Sequence, residues 1–499
     1  MKETTNVFAE YCSTLSESDA ATVRDFFSEF NVYFKLSKKE SRKFRSDFEN
    51  ALMAITRRGV SVHEALNRLS MSNLGGFYAR PAVQWFPLDE AAKIYPFSMD
   101  HGRQQMFRLS IYFKEDVVPE ILQMALTFTI KRFPSFATTL KKGFFWHYLD
   151  TVKKRFAVTE ECDMPCQPIK VSMSGSGAFR LTYYKNRMSV EFFHVITDGT
   201  GGLVFIKAVA SEYLRLLGVE CPADATGDLY DVNETPHPEE FENAFVKIEK
   251  AKSGGGFVEK SALQLTGKPA NHSPCRVLHL KMNSDKLREV ARSQGATVTA
   301  YLLLQMFLAC HASTDELSGD INIQVPVNMR KYYESRTLRN FSMFCGIRIP
   351  VDHMENRDQM LREIATQLTE KAAKDKMHAM ITSAVSIVGG IRLIPLFIKD
   401  PLVRLVYSFM NEKSYTSTLS NLGVISMPEP LAKHIDHMDF CLGAPAINRV
   451  ACSAITFNNT TVFTICKMTS DPTFEEKIYK YFLEDGLEIE VEGSNHYAY

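Results

Sequence analysis

The sequence predicts a mixed fold of the α/β or α+β class, in which two halves of similar organisation follow a helical block. Two observations lead to this prediction. Segments with the period of a strand alternate with segments of helical period through most of the 499 residues, which is typical of layered folds rather than helix bundles. Residues 221–274, rich in Pro, Gly, Ser and acidic side chains, separate two regions with a similar order of elements.

These patterns divide the chain into four parts. We expect a helical extension over residues 1–83, a first subdomain over 84–220, a linker over 221–274 and a second subdomain over 275–499. The length and the 45% hydrophobic content are sufficient for two packed cores. The 35 Phe and 21 Met residues indicate a large, adaptable apolar interior.

Composition also narrows the classes of function. The 58 Lys and Arg residues balance the 58 Asp and Glu residues, whereas a nucleic-acid-binding protein needs a basic excess to neutralise phosphates. The ten cysteines are scattered without paired CxxC units, so we expect no metal site and a reducing compartment. The N-terminal residues are polar where a signal peptide would have its apolar core, which favours the cytoplasm.

The first 83 residues contain two sequences of the capping-box type, Ser37 to Glu40 and Ser61 to Glu64, which predict helix starts. After the first of them, apolar residues recur at helical spacing: Phe44, Phe48, Leu52 and Ile55. The opposite face carries five basic residues: Lys38, Lys39, Arg42, Lys43 and Arg45. This face is either solvated or a docking patch for an acidic partner.

The first subdomain begins with a predicted strand and a predicted helix, and then continues with three strands and a second helix. In order, these segments are Gln105 to Phe113, Val117 to Phe133 before Pro134, Ile169 to Met173, Phe179 to Tyr184, Met188 to His194 and Leu203 to Leu217. The first strand is predicted from its alternation of polar and apolar residues.

The second subdomain repeats this order and ends in a predicted strand pair. The segments are a strand over Arg276 to Met282, helices from Asp285 and over Thr299 to His311, a strand over Ile321 to Val327, helices from Arg357 to Met410, and strands over Val450 to Phe457 and Thr461 to Met468. Asn458 and Asn459 predict the turn of the final pair, because Asn tolerates positive φ.

One uncharged stretch, Ala379 to Ile391, is the best candidate for a membrane span by composition. It is shorter than the roughly 20 apolar residues that a transmembrane helix needs. We therefore expect a buried helix, with an interfacial or substrate-facing helix as the alternative.

The most informative candidate is His194. It continues an apolar strand face and is followed by Val-Ile-Thr-Asp-Gly-Thr-Gly-Gly, a glycine-rich turn into a helix. A buried imidazole at the end of a strand can remove a proton from a hydroxyl or amine near pH 7, although a lone histidine on an apolar strand is more often a hydrogen-bonded core residue. Asp198 either contacts His194 directly or stabilises the turn by pairing with an Arg.

His194 to Gly199 resembles the HxxxDG signature of the acyltransferase superfamily that includes chloramphenicol acetyltransferase, plant BAHD acyltransferases, peptide-synthetase condensation domains and bacterial alcohol acetyltransferases. Three further segments follow in the expected order. Val327 to Phe341 resembles a loop and strand of the alcohol acetyltransferase branch, Ser417 to Gly423 is similar to the SNxG segment, and Asp439 to Pro445 partly matches the plant DFGWG motif. The resemblance covers about residues 84–490.

The resemblance implies two chloramphenicol acetyltransferase-like subdomains around a central tunnel, with His194 as a general base at its middle. It implies direct acyl transfer, and it makes Asp198 mainly structural, with Arg330 as a candidate partner and Gly199 in the turn. Further roles follow for five residues: Ser420 or Asn421 as oxyanion or substrate-binding donor, and Lys331, Arg336 and Arg339 for the phosphates of coenzyme A.

The predicted function is that of a monomeric, cytoplasmic acyltransferase that moves an acyl group from acyl-CoA, its co-substrate, to a small or hydrophobic alcohol, with no tightly bound cofactor or metal. The alternative is a condensation-like module that uses a carrier protein or an amine acceptor. Phe193 occupies the place where condensation domains have a second His, which favours the first hypothesis.

Overall fold

Each predicted half forms a β-sheet covered by helices in a computed structural model of the chain. The structure describes residues 7–30, 36–78, 84–97, 99, 104–152, 154–169, 177–221, 229–252, 254–255, 259–268, 276–411, 414–443 and 448–493, and the side chains of all of these except 404–411. Most of the strand expected over residues 169–173 lies outside these ranges, as do Ala444 and Pro445.

The helices are distributed over the whole chain. They are α1 (Val7–Ser13), α2 (Glu17–Ser28), α3 (Lys38–Arg57), α4 (Val62–Arg68), α5 (Pro119–Thr129), α6 (Gly199–Leu217), α7 (Ser284–Ser293), α8 (Val298–Ala312), α9 (Arg357–Lys371), α10 (Lys374–Gly390), α11 (Leu396–Asn411), α12 (Glu429–Ala432) and α13 (Thr473–Glu484).

The strands begin only after the N-terminal helices. They are β1 (Trp85–Pro87), β2 (Met106–Phe113), β3 (Thr138–Lys142), β4 (His147–Thr151), β5 (Val158–Glu160), β6 (Phe179–Tyr184), β7 (Arg187–Phe193), β8 (Arg276–Asn283), β9 (Asp320–Asn328), β10 (Ser342–Pro350), β11 (Ser417–Val424), β12 (Ile435–Leu442), β13 (Val450–Phe457), β14 (Thr460–Lys467) and β15 (Glu490–Gly493).

Within the described residues, these strands form two large sheets and one small one. The first sheet has the order β12-β2-β7-β6-β5, the second has the order β10-β9-β11-β13-β14-β8-β15, and the small sheet has the order β1-β4-β3. The buried apolar side chains form two cores that correspond largely to the two halves of the chain.

One strand crosses between the halves. β12 comes from the C-terminal part of the chain, but it pairs antiparallel with β2, from Ile435 opposite Phe113 to Leu442 opposite Phe107. The region after residue 221 also bridges the halves, because Glu240 forms a buried ion pair with Arg132, and its carbonyl accepts a hydrogen bond from the backbone N–H of Leu338 at 2.9 Å.

The N-terminal helices begin where the sequence predicts. The hydroxyls of Ser37 and Ser61 accept hydrogen bonds from the backbone N–H groups of Glu40 and Glu64, which are the expected N-cap contacts. The predicted apolar face of α3 is buried, and its predicted basic face is exposed. The Phe48 ring packs edge-on against Phe128 of α5, with centroids 6.0 Å apart. This block is therefore joined to the first core.

Tertiary contacts decide burial in two elements. All eight residues of β2 are buried, because Arg108 on the polar face is enclosed by Glu161 and Ser189. The expectation of a buried helix over Ala379 to Ile391 is wrong in part. The apolar stretch in α10 is only partly buried, since its N-terminal half packs inside while Ile387 is exposed.

The last strand pair agrees with its prediction. β13 and β14 pair in antiparallel register, and Asn458 and Asn459 both have positive φ, 45° and 62°. Among the described residues, no single helix is long and apolar enough to cross a membrane, and only α7 with α8, bent by 78°, passes that test as a pair.

Candidate active site

His194 lies directly after β7, at the end of the first sheet. Its backbone N–H donates to the carbonyl of Gln105 at 2.9 Å, so the strand geometry extends to this residue. The imidazole is half-buried between two aromatic rings, with centroid distances of 4.7 Å to Tyr95 and 5.0 Å to Phe107. The ring is thus held between apolar groups and is not fully enclosed.

Asn340, from the second half of the chain, determines which imidazole nitrogen carries the proton. Its Nδ2 donates to the carbonyl oxygen of His194 at 2.9 Å and lies 3.4 Å from Asp89 Oδ2. These two acceptors orient the amide, so Oδ1 faces His194 Nδ1 at 2.8 Å. Because an amide oxygen can only accept, Nδ1 must be the protonated nitrogen, which leaves Nε2 as the nitrogen that can accept a proton.

The electrostatic environment keeps this imidazole neutral near pH 7. Burial lowers the pKa of His194 below its ordinary value, and the charge of Asp198 and the hydrogen bond with Asn340 offset this only in part. A neutral imidazole with its proton on Nδ1 is the form that a general base requires.

Asp198 connects the turn to the second half of the chain. Its Oδ1 accepts from the backbone N–H of Gly201 at 3.1 Å, which makes it the N-cap of α6. Its Oδ2 accepts from Arg330 Nη1 and from the backbone N–H of Phe341, both at 2.8 Å. The carboxylate is buried, and its contacts are those of an organising residue.

Arg330 holds the segment that carries Asn340. Besides Asp198, its guanidinium donates to the backbone carbonyls of Thr337 and Arg339, at 2.8 Å each from Nη2. The ion pair thus fixes the 337–341 segment against the start of α6. This arrangement sets the position of Asn340 relative to His194.

The glycines after Asp198 are needed for close packing, since none of Gly199 to Gly202 has positive φ. A Cβ atom at Gly201 would lie 2.1 Å from the carbonyl oxygen of Leu338 and 2.2 Å from Thr197 Oγ1. A Cβ atom at Gly199 would lie 2.7 Å from Leu422 Cδ2. The turn therefore packs against segments of the second half at distances that only glycine permits.

The two candidates for an oxyanion donor have different surroundings. The Asn421 side chain donates to Thr299 Oγ1 at 3.1 Å and accepts from the backbone N–H of Gly423 at 2.8 Å, so it stabilises an irregularity in β11. Ser420 lies two residues before Leu422, the side chain that contacts Gly199. β11 therefore brings Ser420 toward the turn after His194.

The three basic candidates lie in different environments. Lys331 and Arg336 are exposed, and the residues between them help to line a cleft of about 640 Å³. The cleft includes Lys247 and Lys374 but also three acidic side chains, Glu242, Glu249 and Glu334, and Lys247 is paired with Glu242. Arg339 is only 1% exposed and donates to the carbonyls of Phe241 and Pro87. In this conformation Arg339 cannot reach a phosphate, and its role is to join the two halves.

Sequence reasoning did not identify Asn340 or Tyr95 as site residues. Both are distant from His194 along the chain, and the only signal was the position of Asn340 within the Val327 to Phe341 segment. Among the described residues, no group of three or more His, Cys, Asp or Glu side chains is arranged to hold a metal ion.

No family model and no curated protein matches the sequence. Solved structures do match the fold. TRI101 of F. sporotrichioides, complexed with coenzyme A and T-2, aligns with a TM-score of 0.55 at 11% identity, over 80% of this chain and 97% of that chain. The TRI3 trichothecene 15-O-acetyltransferase from Fusarium sporotrichioides aligns with a TM-score of 0.52 at 10% identity, over 80% and 94%.

A third similar structure is the starter condensation domain of rhizomide synthetase in complex with C8-CoA, with a TM-score of 0.50 at 10% identity, over 80% of this chain and 94% of that chain. The chain thus has the two-subdomain fold that chloramphenicol acetyltransferase-like enzymes and condensation domains share, which confirms the predicted fold class. Closeness to the bacterial alcohol acetyltransferase branch stays a prediction.

Proposed function

We propose that the protein transfers an acyl group from a coenzyme A thioester to the hydroxyl of a small or hydrophobic alcohol. Nε2 of His194 takes the hydroxyl proton as the alcohol oxygen attacks the thioester carbonyl carbon. The tetrahedral intermediate then expels the thiolate, which receives the proton from His194. One ester and one free thiol result, and no acyl-enzyme forms.

The observation that carries this proposal is the hydrogen bond between His194 Nδ1 and Asn340 Oδ1. It supports a fixed tautomer with Nε2 available, and the lowered pKa of His194 keeps that nitrogen unprotonated at neutral pH.

Ser420 is our candidate for the oxyanion donor. The Asn421 amide is already engaged with Thr299 and Gly423, whereas Ser420 lies on the β11 segment that packs against the turn after His194. A hydroxyl aimed at the developing oxyanion typically contributes about 3 kcal/mol to the transition state. We therefore expect Ser420→Ala to lower kcat about a hundredfold, and Asn421→Ala, the matched control, to change it much less.

Coenzyme A is our candidate for the acyl carrier. Two of the similar structures contain coenzyme A or C8-CoA, and TRI3 is described as an O-acetyltransferase. On this chain, we propose that Lys331 and Arg336 contact the phosphates beside the cleft that Lys247 and Lys374 help to line. We further propose that the protein acts as a cytoplasmic monomer.

Release of free thiol from acetyl-, medium- and long-chain acyl-CoA in the presence of an alcohol and amine panel tests the proposal. We expect turnover with at least one hydroxyl acceptor, and a loss of about a hundredfold to ten-thousandfold in His194→Ala, the range that general base catalysis typically contributes. His353→Ala, at an exposed histidine, is the matched control. Full activity in His194→Ala would disprove the role of the base.

The alternative is a condensation-like module that accepts acyl groups from a carrier protein. The exposed basic face of α3 favours it, because acidic carrier proteins bind basic surfaces. Two of those residues are already paired with acids, Lys43 with Glu40 and Arg45 with Glu49. Pull-down with an acylated carrier protein distinguishes the two functions, since a CoA-dependent enzyme would turn over acyl-CoA without one.

A further inference from the structure

A group of large apolar side chains is exposed on one side of the molecule. The group, which we call the apolar patch, consists of Phe144 and Phe145 at the tip of the β3-β4 hairpin, Leu393 in the turn after α10, and Phe397 and Ile398 in α11. Phe397 is 72% exposed, Leu393 71% and Phe144 67%. Soluble surfaces rarely present several such side chains together unless they bind something.

The patch is one continuous, ordered surface. The backbone N–H of Leu396 donates to the carbonyl of Phe144 at 2.8 Å, and Lys399 Nζ donates to the carbonyl of Phe145 at 2.9 Å. The Lys399 ammonium also lies 3.4 Å from the centre of the Trp146 ring. These contacts fasten the start of α11 to the hairpin tip, so the apolar side chains project from a fixed base.

The start of α11 has an apolar outer face, although its inner face holds both an apolar residue, Leu396, and a charged one, Lys399. Lys399 is buried, and that burial lowers its pKa to about 8, whereas Phe397, Ile398 and Leu402 are exposed. A water-exposed helix normally places its apolar side chains inward. An apolar outer face is that of a helix whose outer side meets an apolar medium.

The charges around the patch indicate what that medium is. Two exposed charged side chains next to the patch in sequence are basic, Lys142 beside the hairpin tip and Arg392 beside Leu393. The nearby acids, Asp150 and Asp400, are half-buried. Apolar side chains that protrude between basic ones match a membrane surface containing anionic lipid, where the apolar groups enter the acyl region and the cations contact phosphates.

We propose that the apolar patch binds the surface of a membrane that contains anionic phospholipid. The patch is also connected to the candidate active site, because Trp146 lies beside Phe97 with centroids 6.3 Å apart, and Tyr95, two residues earlier, packs on His194. Binding to lipid does not depend on the proposed function. Only the delivery of a lipophilic substrate from the patch to His194 would depend on it.

Flotation of the full chain with lipid vesicles, without substrates, tests the proposal. We expect binding to vesicles of phosphatidylcholine mixed with phosphatidylglycerol, and much weaker binding to phosphatidylcholine alone. Phe144→Ser/Phe397→Ser should weaken binding by at least about tenfold, because two large side chains no longer enter the bilayer. Lys142→Glu/Arg392→Glu should weaken binding to the anionic vesicles alone.

Leu317→Ser/Val491→Ser is the matched control, since both side chains are exposed and apolar but lie outside the patch. Circular dichroism confirms that each variant is folded. The proposal is overturned if the wild type does not bind the mixed vesicles, or if the patch variant binds as well as the control. A dimer in solution that the patch variant dissociates would assign the surface to a second copy of the chain, which also overturns it.

Discussion

The amide of Asn340 and the imidazole of His194 form a hydrogen-bonded pair, in which the orientation of the amide determines the tautomer of the ring. The amide is oriented by two acceptors, and the ring tautomer follows from that orientation. The pair joins the two halves of the chain, so any relative movement of the halves would alter the base. Asn340 is in this sense a positioning residue for the proposed reaction.

The pH dependence of Asn340→Ala tests this role. The hydrogen bond with Asn340 raises the pKa of His194, and burial, the larger effect, lowers it. In the wild type, kcat/KM should therefore fall as the pH falls through a midpoint below about 6.5. In Asn340→Ala the midpoint should move to still lower pH, and the plateau should drop about tenfold because the ring loses its orientation.

A pH series of kcat/KM for both proteins measures the midpoints. Asn421→Ala is the control, because it also removes an amide but leaves His194 untouched. A midpoint that moves to higher pH in Asn340→Ala would contradict the assignment.

Asp198 should affect stability as well as rate. In Asp198→Asn the half-buried Arg330 loses its charged partner, and we expect the free energy of unfolding to fall by about 3 kcal/mol. The rate should fall too, because the 337–341 segment holds Asn340. Asp285→Asn removes one partner of an exposed pair, with Arg288, and should change stability by less than ~1 kcal/mol. Unchanged melting with abolished turnover would show that Asp198 acts chemically.

At the scale of elements, the start of α6 packs directly against the second half of the chain. Thr197 Oγ1 donates to the carbonyl of Leu338 at 2.6 Å, and Gly201 faces the same carbonyl. Helix α6 can therefore begin here only because residue 201 has no side chain. The glycine-rich sequence provides space between backbones and no unusual backbone angle.

Gly201→Ala should therefore destabilise the protein. Its methyl group would clash with a backbone carbonyl, which cannot yield as a flexible side chain can, so we expect a loss of about 1–3 kcal/mol. Gly76→Ala, where no atom lies within 4 Å of the added methyl, is the control and should be neutral or slightly stabilising. Thermal unfolding followed by circular dichroism measures both, and equal melting of the two variants would exclude the packing role.

For the whole molecule, β12 is the element that couples the two halves. It leaves the C-terminal half and becomes the edge strand of the first sheet, where Met438 and Phe440 enter the first core. The ion pair of Arg132 with Glu240 and that of Asp198 with Arg330 add two buried links. These links predict that the halves unfold as one unit.

Heat-induced unfolding tests this prediction with two probes. Both tryptophans, Trp85 and Trp146, belong to the first half, and Trp146 also contacts Lys399 of the second half. Fluorescence therefore reports the first half and this contact between the halves, while circular dichroism reports the whole chain. We expect coincident transitions. Met438→Ala should lower the midpoint temperatures of both transitions by the same amount, because it leaves a cavity in the first core that costs about 2–5 kcal/mol. Fluorescence that changes at a lower temperature than circular dichroism would contradict the coupling.

Local sequence patterns were sufficient to predict many of the helices, strands and turns of this molecule. Helix starts at Ser37 and Ser61, the turn at Asn458 and the strand that ends at His194 depend on neighbours in sequence, because caps, turns and strand faces are satisfied within a few residues. The two-subdomain fold followed from motif order.

Contacts between distant segments decided the rest. The burial of both faces of β2, the crossing of β12, the enclosure of Arg339 and the pairing of Asn340 with His194 each join residues far apart in the chain. No local period encodes such contacts. The sequence by itself determined the elements and the candidate base, whereas only the tertiary structure decided how that base is oriented, because its orienting partner comes from the other half of the molecule.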